Sequence, residues 1–222
     1  EPFAKDGALS WQPAQAESLD EEILRTVDSP FDKEGGLRLV SGNVGRAIVK
    51  ISAVKKEHHS ITAPARVFLS LEDFKNAFNA GELETDFVAV LPGQGPGANG
   101  MPELHKLTPY LGVLQNRGLK VALLTDGRMS GASGKVLAAI QVTPEALHGG
   151  VIGKVRDGDL VTIDSEAGIM NVEANDDVLG RDAIALELDS QHEGMGRELF
   201  AAFRSHTNGA ERGATIFGEV VE

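Results

Sequence analysis

The residues best suited to chemistry follow an apolar segment in the middle of the chain. Residues 125–135 read Thr-Asp-Gly-Arg-Met-Ser-Gly-Ala-Ser-Gly-Lys and come directly after Leu123 and Leu124. Small residues let backbone N–H groups approach an anion closely, and Arg128 and Lys135 add positive charge. A loop of this composition can bind a small anion. The same composition is typical of a polar turn between two buried strands, and composition alone leaves both interpretations open.

A second glycine-rich segment carries further charged side chains. Residues 95–106 read Gly-Pro-Gly-Ala-Asn-Gly-Met-Pro-Glu-Leu-His-Lys, which brings Glu103, His105 and Lys106 within four positions. A glutamate here also fits the first turn of a helix, where the helix dipole favours negative charge. Lys106 equally fits a solvated lysine at the start of that helix. The functional and the structural interpretations of these residues both remain open at this point.

Two strands and a helix are predicted to position the loops. Residues 86–91 and 120–124 are almost continuous apolar runs of strand length. Between them, the glycine- and proline-rich residues 92–100 are predicted to be irregular. Thr108-Pro109 predicts the N-cap and first turn of a helix that ends near Gly118. Its inner face is predicted to contain Leu111, Leu114 and Val113.

The order of these elements predicts that the two loops lie together. Strand, loop, helix, strand and loop follow one another, so the loops leave two adjacent parallel strands at the same end. Ligands gather at that end of α/β sheets. We therefore expect Glu103 and Ser130 to share one site, with Asp126 either orienting Arg128 or capping the loop.

The remaining segments predict an α/β fold with barrel-like β-structure. Residues 1–36 are acidic and turn-rich and predict a connecting arm, which leaves residues 37–222 as one domain. Ser70 is predicted to cap a helix that ends at Gly81. Further strands are predicted at residues 46–54, 65–69, 136–142, 151–155, 160–164 and 169–173, and further helices at 143–149 and 195–206.

Composition excludes several classes of function. The chain has 222 residues, 41% of them hydrophobic, and a formal net charge of −12. This charge repels nucleic acids and anionic membranes, so an anionic ligand must be small and held by a local cationic pocket. No apolar run is long enough to span a bilayer. Because there is no cysteine, the chain can form neither disulfides nor thiolate metal sites.

Both glycine-rich segments are similar to signatures of one enzyme family. Residues 125–131 and 95–106 resemble motifs of the dihydroxy-acid and 6-phosphogluconate dehydratase family. Matching stretches at residues 42–43, 48–54 and 154–159 extend the resemblance from about residue 36 to about residue 172. Met-Pro-Glu-Leu-His-Lys and Met-Ser-Gly-Ala-Ser-Gly-Lys are more similar to the 6-phosphogluconate branch than to the branched-chain amino-acid branch.

The resemblance implies a hydro-lyase that converts 6-phospho-D-gluconate to 2-dehydro-3-deoxy-6-phosphogluconate and water, a step of the Entner–Doudoroff pathway. It implies a swivelling β/β/α domain like the C-terminal domain of aconitase-type dehydratases. Ser130 corresponds to the base that removes the C2 proton, and Glu103 to a residue that reaches a magnesium ion. The implied substrate-binding residues, several of them suited to a phosphate, are Arg128, Ser133, Lys135, His105 and Lys106.

The resemblance also implies cofactors and partners that this chain lacks. The family uses an iron–sulfur cluster, expected to be 4Fe-4S, held by cysteines of a larger N-terminal domain. We therefore expect this chain to be the C-terminal part of a cytoplasmic, homodimeric enzyme and to be inactive without that domain. The alternatives are a dihydroxy-acid or sugar-acid dehydratase and, in another class, a non-catalytic domain that binds small anions or a protein partner.

Overall fold

The chain divides into two compact units, residues 1–35 and residues 36–222. The structure, a computed structural model, describes residues 1–14, 17–33, 35–130, 135–186, 188 and 195–217. The first unit contains a hairpin of two antiparallel strands, β1 (Pro2–Lys5) and β2 (Ala8–Trp11). Its turn residues Asp6 and Gly7 have φ angles of 52° and 78°. Asp-Gly is a favoured pair for such a turn, although the sequence analysis predicted no strand here.

The second unit is built on a closed barrel of eight strands. They are β3 (Leu37–Gly42), β4 (Gly45–Lys50), β5 (Ser60–Val67), β6 (Phe87–Leu91), β7 (Val121–Thr125), β8 (Leu137–Thr143), β9 (Leu160–Asp164) and β10 (Ile169–Glu173). Their order around the barrel is β10-β3-β4-β8-β7-β6-β5-β9. Strands β5 to β8 pair in parallel and most other pairs are antiparallel. The predicted α/β class with barrel-like β-structure is confirmed.

The second unit also contains short α-helices, and a cluster of buried side chains joins two of them to the parallel strands. The α-helices are α1 (Leu71–Asn79), α2 (Pro96–Asn99), α3 (Thr108–Asn116), α4 (Met195–Leu199) and α5 (Ala201–His206). Helix α1 begins as predicted, because the Ser70 side chain accepts a hydrogen bond from the Asp73 N–H. No helix in the described ranges is long and apolar enough to cross a membrane.

Strand β6 shows why its sequence is apolar without a break. Val88 and Val90 belong to the cluster that fills the barrel. Phe87, Ala89 and Leu91 belong to a second cluster, between the strands and helices α1 and α3. Because both faces of the strand are covered, every one of its residues is buried.

Several predicted elements differ from the structure. Residues 92–100 are not wholly irregular, since Pro96 starts the single turn of α2. Residues Val151–Lys154 form a 3₁₀ turn rather than a strand, because a short apolar run that buries Ile152 suits either conformation. The predicted helix at residues 195–206 is interrupted at Phe200, between α4 and α5.

The start of α3 also differs from its prediction. Thr108 is the first helical residue rather than the N-cap, and its hydroxyl donates to the Met129 sulfur at 3.1 Å. Leu111 and Leu114 are buried as predicted. Val113 is 40% exposed and lies outside the inner face, because a helix residue one position away from Leu114 points in another direction.

Candidate active site

The two glycine-rich loops meet at one end of the barrel. Strands β6 and β7 are neighbours in parallel register, with Leu91 opposite Thr125. The loops after them therefore leave in the same direction. Glu103 and Arg128 form an isolated parallel bridge. The predicted proximity of the two loops is confirmed.

The Glu103 carboxylate links the loops through three hydrogen bonds. Its Oε1 atom accepts the backbone N–H of Ser130 at 2.6 Å and that of His105 at 3.0 Å. Its Oε2 atom accepts a guanidinium N–H of Arg128 at 2.8 Å. Glu103 thus holds the predicted base and the predicted cation with the same carboxylate group.

Arg128 is held at a second point, on the other side of its guanidinium. Its Nε donates to the carbonyl of Met101 at 2.8 Å. Met101 and Gly100 have φ angles of 52° and 70°, so the chain turns sharply between α2 and Glu103. A left-handed conformation in a methionine is uncommon and is typical of a backbone held by its surroundings.

Ser130 is exposed at the end of this arrangement. Its backbone is anchored by Glu103, and Arg128 binds the same carboxylate. The following residues 131–134, including the predicted ligand Ser133, lie outside the described residues. The arrangement fixes the Ser130 main chain, and the charge of the Arg128 guanidinium is paired with the Glu103 carboxylate.

Asp126 lies beneath the two loops, where its carboxylate connects backbone segments, and it is fully buried. Its two oxygens accept the backbone N–H groups of Gln94 at 2.7 Å, Gly93 at 3.0 Å and Ala146 at 2.9 Å. Burial raises the pKa of Asp126, although these three hydrogen bonds act in the opposite direction. Of the two roles expected for Asp126, the structure shows loop capping.

Glu145 is a second buried carboxylate that the sequence analysis missed. It accepts the N–H groups of Gly97 at 3.1 Å and Ala98 at 3.2 Å, at the start of α2. A β-carbon at Gly95 would lie 2.1 Å from a Glu145 oxygen. The glycines at 95 and 97 therefore indicated that another group approaches the start of α2 closely. The sequence does not identify that group as Glu145.

The remaining predicted ligands occupy two places. His105 and Lys106 are exposed in a 3₁₀ turn just before α3. The carbonyl of Lys135 accepts a hydrogen bond from Gln115, near the other end of α3. That helix has nine residues and is about 13 Å long. The structure therefore does not bring Lys135 together with His105 and Lys106.

The described residues of this chain do not by themselves form a site for the metal cofactors that the resemblance implies. The chain has no cysteine, so it offers no thiolate to an iron–sulfur cluster. Within the described ranges, no three His, Asp or Glu side chains are grouped to hold a metal ion. Glu103 offers one carboxylate, which already accepts three protein hydrogen bonds.

Comparison with known proteins agrees with the motifs. Residues 22–214 match the family model described as "Dihydroxy-acid/6-phosphogluconate dehydratase C-terminal". The chain belongs to this family. Within the family, the phosphogluconate dehydratase of Pseudomonas aeruginosa is 54% identical over 99% of this chain and 36% of its own length. That of Escherichia coli K12 is 48% identical over 97% of this chain and 36% of its own length.

The other branch of the family is also represented among the relatives. A dihydroxy-acid dehydratase of Caldanaerobacter subterraneus is 39% identical over 73% of this chain and 29% of its own length. The chain thus spans about 36% of the length of the phosphogluconate dehydratases that it matches. The dehydratase family resemblance inferred from the two glycine-rich motifs is confirmed.

Proposed function

We propose that this chain supplies the proton-transfer side of the active site of a hydro-lyase that dehydrates 6-phospho-D-gluconate. One observation carries the proposal: the Glu103 carboxylate binds both the Arg128 guanidinium and the Ser130 backbone. The similarity supports this substrate, because relatives named phosphogluconate dehydratase are 48–54% identical and the dihydroxy-acid dehydratase is 39% identical.

The reaction removes a proton from C2 and a hydroxide from C3, which together make water. The product is an enol that becomes the 2-keto acid when C3 takes up a proton. In the proposal, the Ser130 oxygen accepts the C2 proton. A serine alkoxide is costly near neutral pH and needs positive charge and hydrogen-bond donors around it. In the proposal, Arg128 contributes part of this positive charge, although its guanidinium is ion-paired with Glu103.

Glu103 has a positioning role in this proposal. Its carboxylate binds the Ser130 backbone N–H and the Arg128 guanidinium. In the proposal, these two hydrogen bonds keep Ser130, the base, at a constant distance from Arg128, the cation. Rigid positioning of reacting groups contributes much of the rate of such reactions. Contact of Glu103 with a magnesium ion bound elsewhere in the protein stays a prediction.

The proposal extends to parts of the enzyme beyond this chain. An iron–sulfur cluster, expected to be 4Fe-4S, is proposed to be held by an N-terminal domain, in a cytoplasmic homodimer. The group that accepts the C3 hydroxyl belongs to that part of the protein. This division of labour is supported by the absence of cysteine here and by the fraction of its relatives' length that the chain matches.

The substitution Ser130→Ala in the complete protein tests the proposal. We expect turnover to fall by a factor of about 10² to 10⁴, the usual contribution of a general base, with iron and sulfide content unchanged. Exchange of the C2 proton with D2O should fall equally. The control is Ser60→Ala, which removes an exposed hydroxyl from β5. Retention of most of the exchange rate in Ser130→Ala would assign the hydroxyl to the loop structure alone.

A dihydroxy-acid dehydratase is the second candidate, because one relative at 39% identity bears that name. The two candidates differ in whether the substrate carries a phosphate. A wild-type preference for a branched 2,3-dihydroxy acid over 6-phosphogluconate would establish the second candidate. It would leave the role of Ser130 unchanged.

A further inference from the structure

A cavity of about 570 Å³ lies between α2 and the two C-terminal helices, α4 and α5. This volume is within the usual range for small-molecule sites, about 300–1,000 Å³. The polar side chains that line it are Asn99, Arg197, Arg204 and Thr207, and its apolar wall includes Phe200 and Phe203. The sequence analysis assigned no function to any of these six residues.

The cavity concentrates positive charge in an acidic chain. Arg197 and Arg204 both line it, whereas none of the described lining residues carries a carboxylate. The whole chain has a formal net charge of −12, so most of its surface repels anions. A single guanidinium group recognises phosphate with two parallel hydrogen bonds.

An amide oxygen and two backbone carbonyls orient the two guanidinium groups at the cavity. Arg197 donates to the Asn99 side-chain oxygen at 3.0 Å and also to the carbonyl of Leu188. Arg204 donates to the carbonyl of Arg197 at 2.8 Å. In the part of the chain that the structure describes, no carboxylate forms an ion pair with Arg204. The Arg204 charge is thus oriented but not neutralised there.

The cavity shares a wall with the Ser130 site. Met101 lines the cavity, and its carbonyl accepts the Nε of Arg128 at 2.8 Å. Arg128 in turn binds Glu103, which accepts the Ser130 N–H. Two successive contacts therefore connect the cavity wall to the carboxylate that anchors Ser130.

We propose that this cavity binds the phosphate group of the substrate through Arg197 and Arg204. The proposal rests on the proposed function, a phosphorylated six-carbon sugar acid. In such an acid, four carbon–carbon bonds and the ester oxygen separate C2 from the phosphorus. A substrate with C2 at Ser130 must therefore place its phosphate in a neighbouring site. This assigns phosphate recognition to the C-terminal helices rather than to Lys106 or Lys135.

The test compares two substrates in the complete protein, 6-phosphogluconate and unphosphorylated gluconate. Arg204→Gln removes the charge but retains an N–H donor for the carbonyl of Arg197. We expect it to lower kcat/KM for 6-phosphogluconate about 10- to 100-fold, the value of one charge-assisted contact. The loss should appear mainly in KM. For gluconate, kcat/KM should stay within about threefold of wild type.

Three further variants make the test specific. Arg204→Lys keeps the charge and should recover part of the preference for the phosphorylated substrate. Arg66→Gln removes a guanidinium of β5, outside the cavity, and should behave as wild type. Lys106→Ala tests the competing site and should lower kcat/KM equally for both substrates.

Inorganic phosphate should inhibit the wild type competitively and Arg204→Gln at least about tenfold more weakly.

The possible outcomes separate this proposal from the proposed function. Equal losses on both substrates in Arg204→Gln, at an unchanged Tm, would overturn the phosphate site and assign Arg204 to packing. A selective loss in Lys106→Ala but not in Arg204→Gln would move the phosphate to the start of α3. A wild-type protein that does not dehydrate 6-phosphogluconate would overturn the proposed function itself, and with it this site.

Discussion

Glu103 is the residue on which the geometry of the Ser130 site depends most. Its carboxylate accepts one hydrogen bond from Arg128 and two from backbone N–H groups. In Glu103→Gln, the amide oxygen can replace only one of these acceptor oxygens, and the amide NH₂ opposes another donor. We expect kcat to fall about 10- to 100-fold, with KM changed much less. Steady-state kinetics and C2 proton exchange measure this effect.

The stability of Glu103→Gln provides the control for this prediction. The Glu103 side chain is 35% exposed and that of Arg128 is 50% exposed, so the ion pair contributes only about 0–1 kcal/mol to folding. The Tm should therefore change little. A magnesium titration separates positioning from metal contact, because only a metal ligand would raise the Mg²⁺ concentration needed for activity. Wild-type kcat in Glu103→Gln would contradict the positioning role.

The buried carboxyl of Asp126 predicts an unusual pH dependence. Burial raises its pKa in the folded chain above the ordinary value of 3.8. The folded state therefore binds the proton more tightly than the unfolded state does. The contribution of Asp126 to the free energy of unfolding is fully present below pH 3.8, the unfolded pKa. It is lost as the pH rises through the raised folded pKa.

Asp126→Asn should remove this slope and also lower stability. An amide cannot accept all three backbone N–H groups, so about 1–3 kcal/mol should be lost. Urea unfolding across a pH series measures both effects. Asp164→Asn is a matched control of opposite sign, because an N–H of Ala167 lowers the pKa of Asp164. Its contribution is lost as pH falls through that lowered pKa. If the change in the free energy of unfolding varied with pH in the same direction for both variants, the prediction would be contradicted.

At the scale of elements, helix α1 can be tested through its cap. The Ser70 oxygen accepts the N–H of Asp73 at 3.0 Å. Ser70→Ala leaves this donor without its partner and should lower the free energy of unfolding by about 1 kcal/mol. Ser70→Asp keeps an acceptor and should stay close to wild type. An equal loss in both variants, measured in urea, would show that the cap contributes nothing specific.

Strands with a continuous apolar run, or with regular alternation of buried and more exposed residues, were predicted well by sequence patterns. Strand β6 differs from its prediction by one residue, and β9 and β10 match theirs. The run Val151–Lys154 was predicted as a strand and is a 3₁₀ turn. Its apolar side chains suit either conformation, and the packing of Ile152 in the barrel cluster decides between them.

At the scale of the whole molecule, the absence of cysteine predicts the behaviour of the separate chain. With no thiolate, it should bind no iron–sulfur cluster when incubated with iron and sulfide, and it should show no dehydratase activity. Iron and sulfide analysis and visible absorbance measure this, with the complete protein as the positive control. A stable cluster absorbance in the separate chain would contradict the proposed division between two domains.

The sequence by itself determined the chemistry available to the molecule. Ser130, Arg128 and Glu103 were found from loop composition and family motifs, and the parallel order of β6 and β7 predicted that their loops meet. These features are local or follow from connection rules, so a linear pattern contains them. The net charge of −12 and the lack of cysteine were equally readable.

Only the tertiary structure decided which charged groups share a site. Lys135 is five residues after Ser130 in sequence, yet its backbone lies beside the far end of α3. Arg204 is more than seventy residues away in sequence, yet its cavity shares Met101 with the Ser130 site. Proximity of this kind depends on how helices pack on the closed barrel, and packing joins residues without regard to their spacing along the chain.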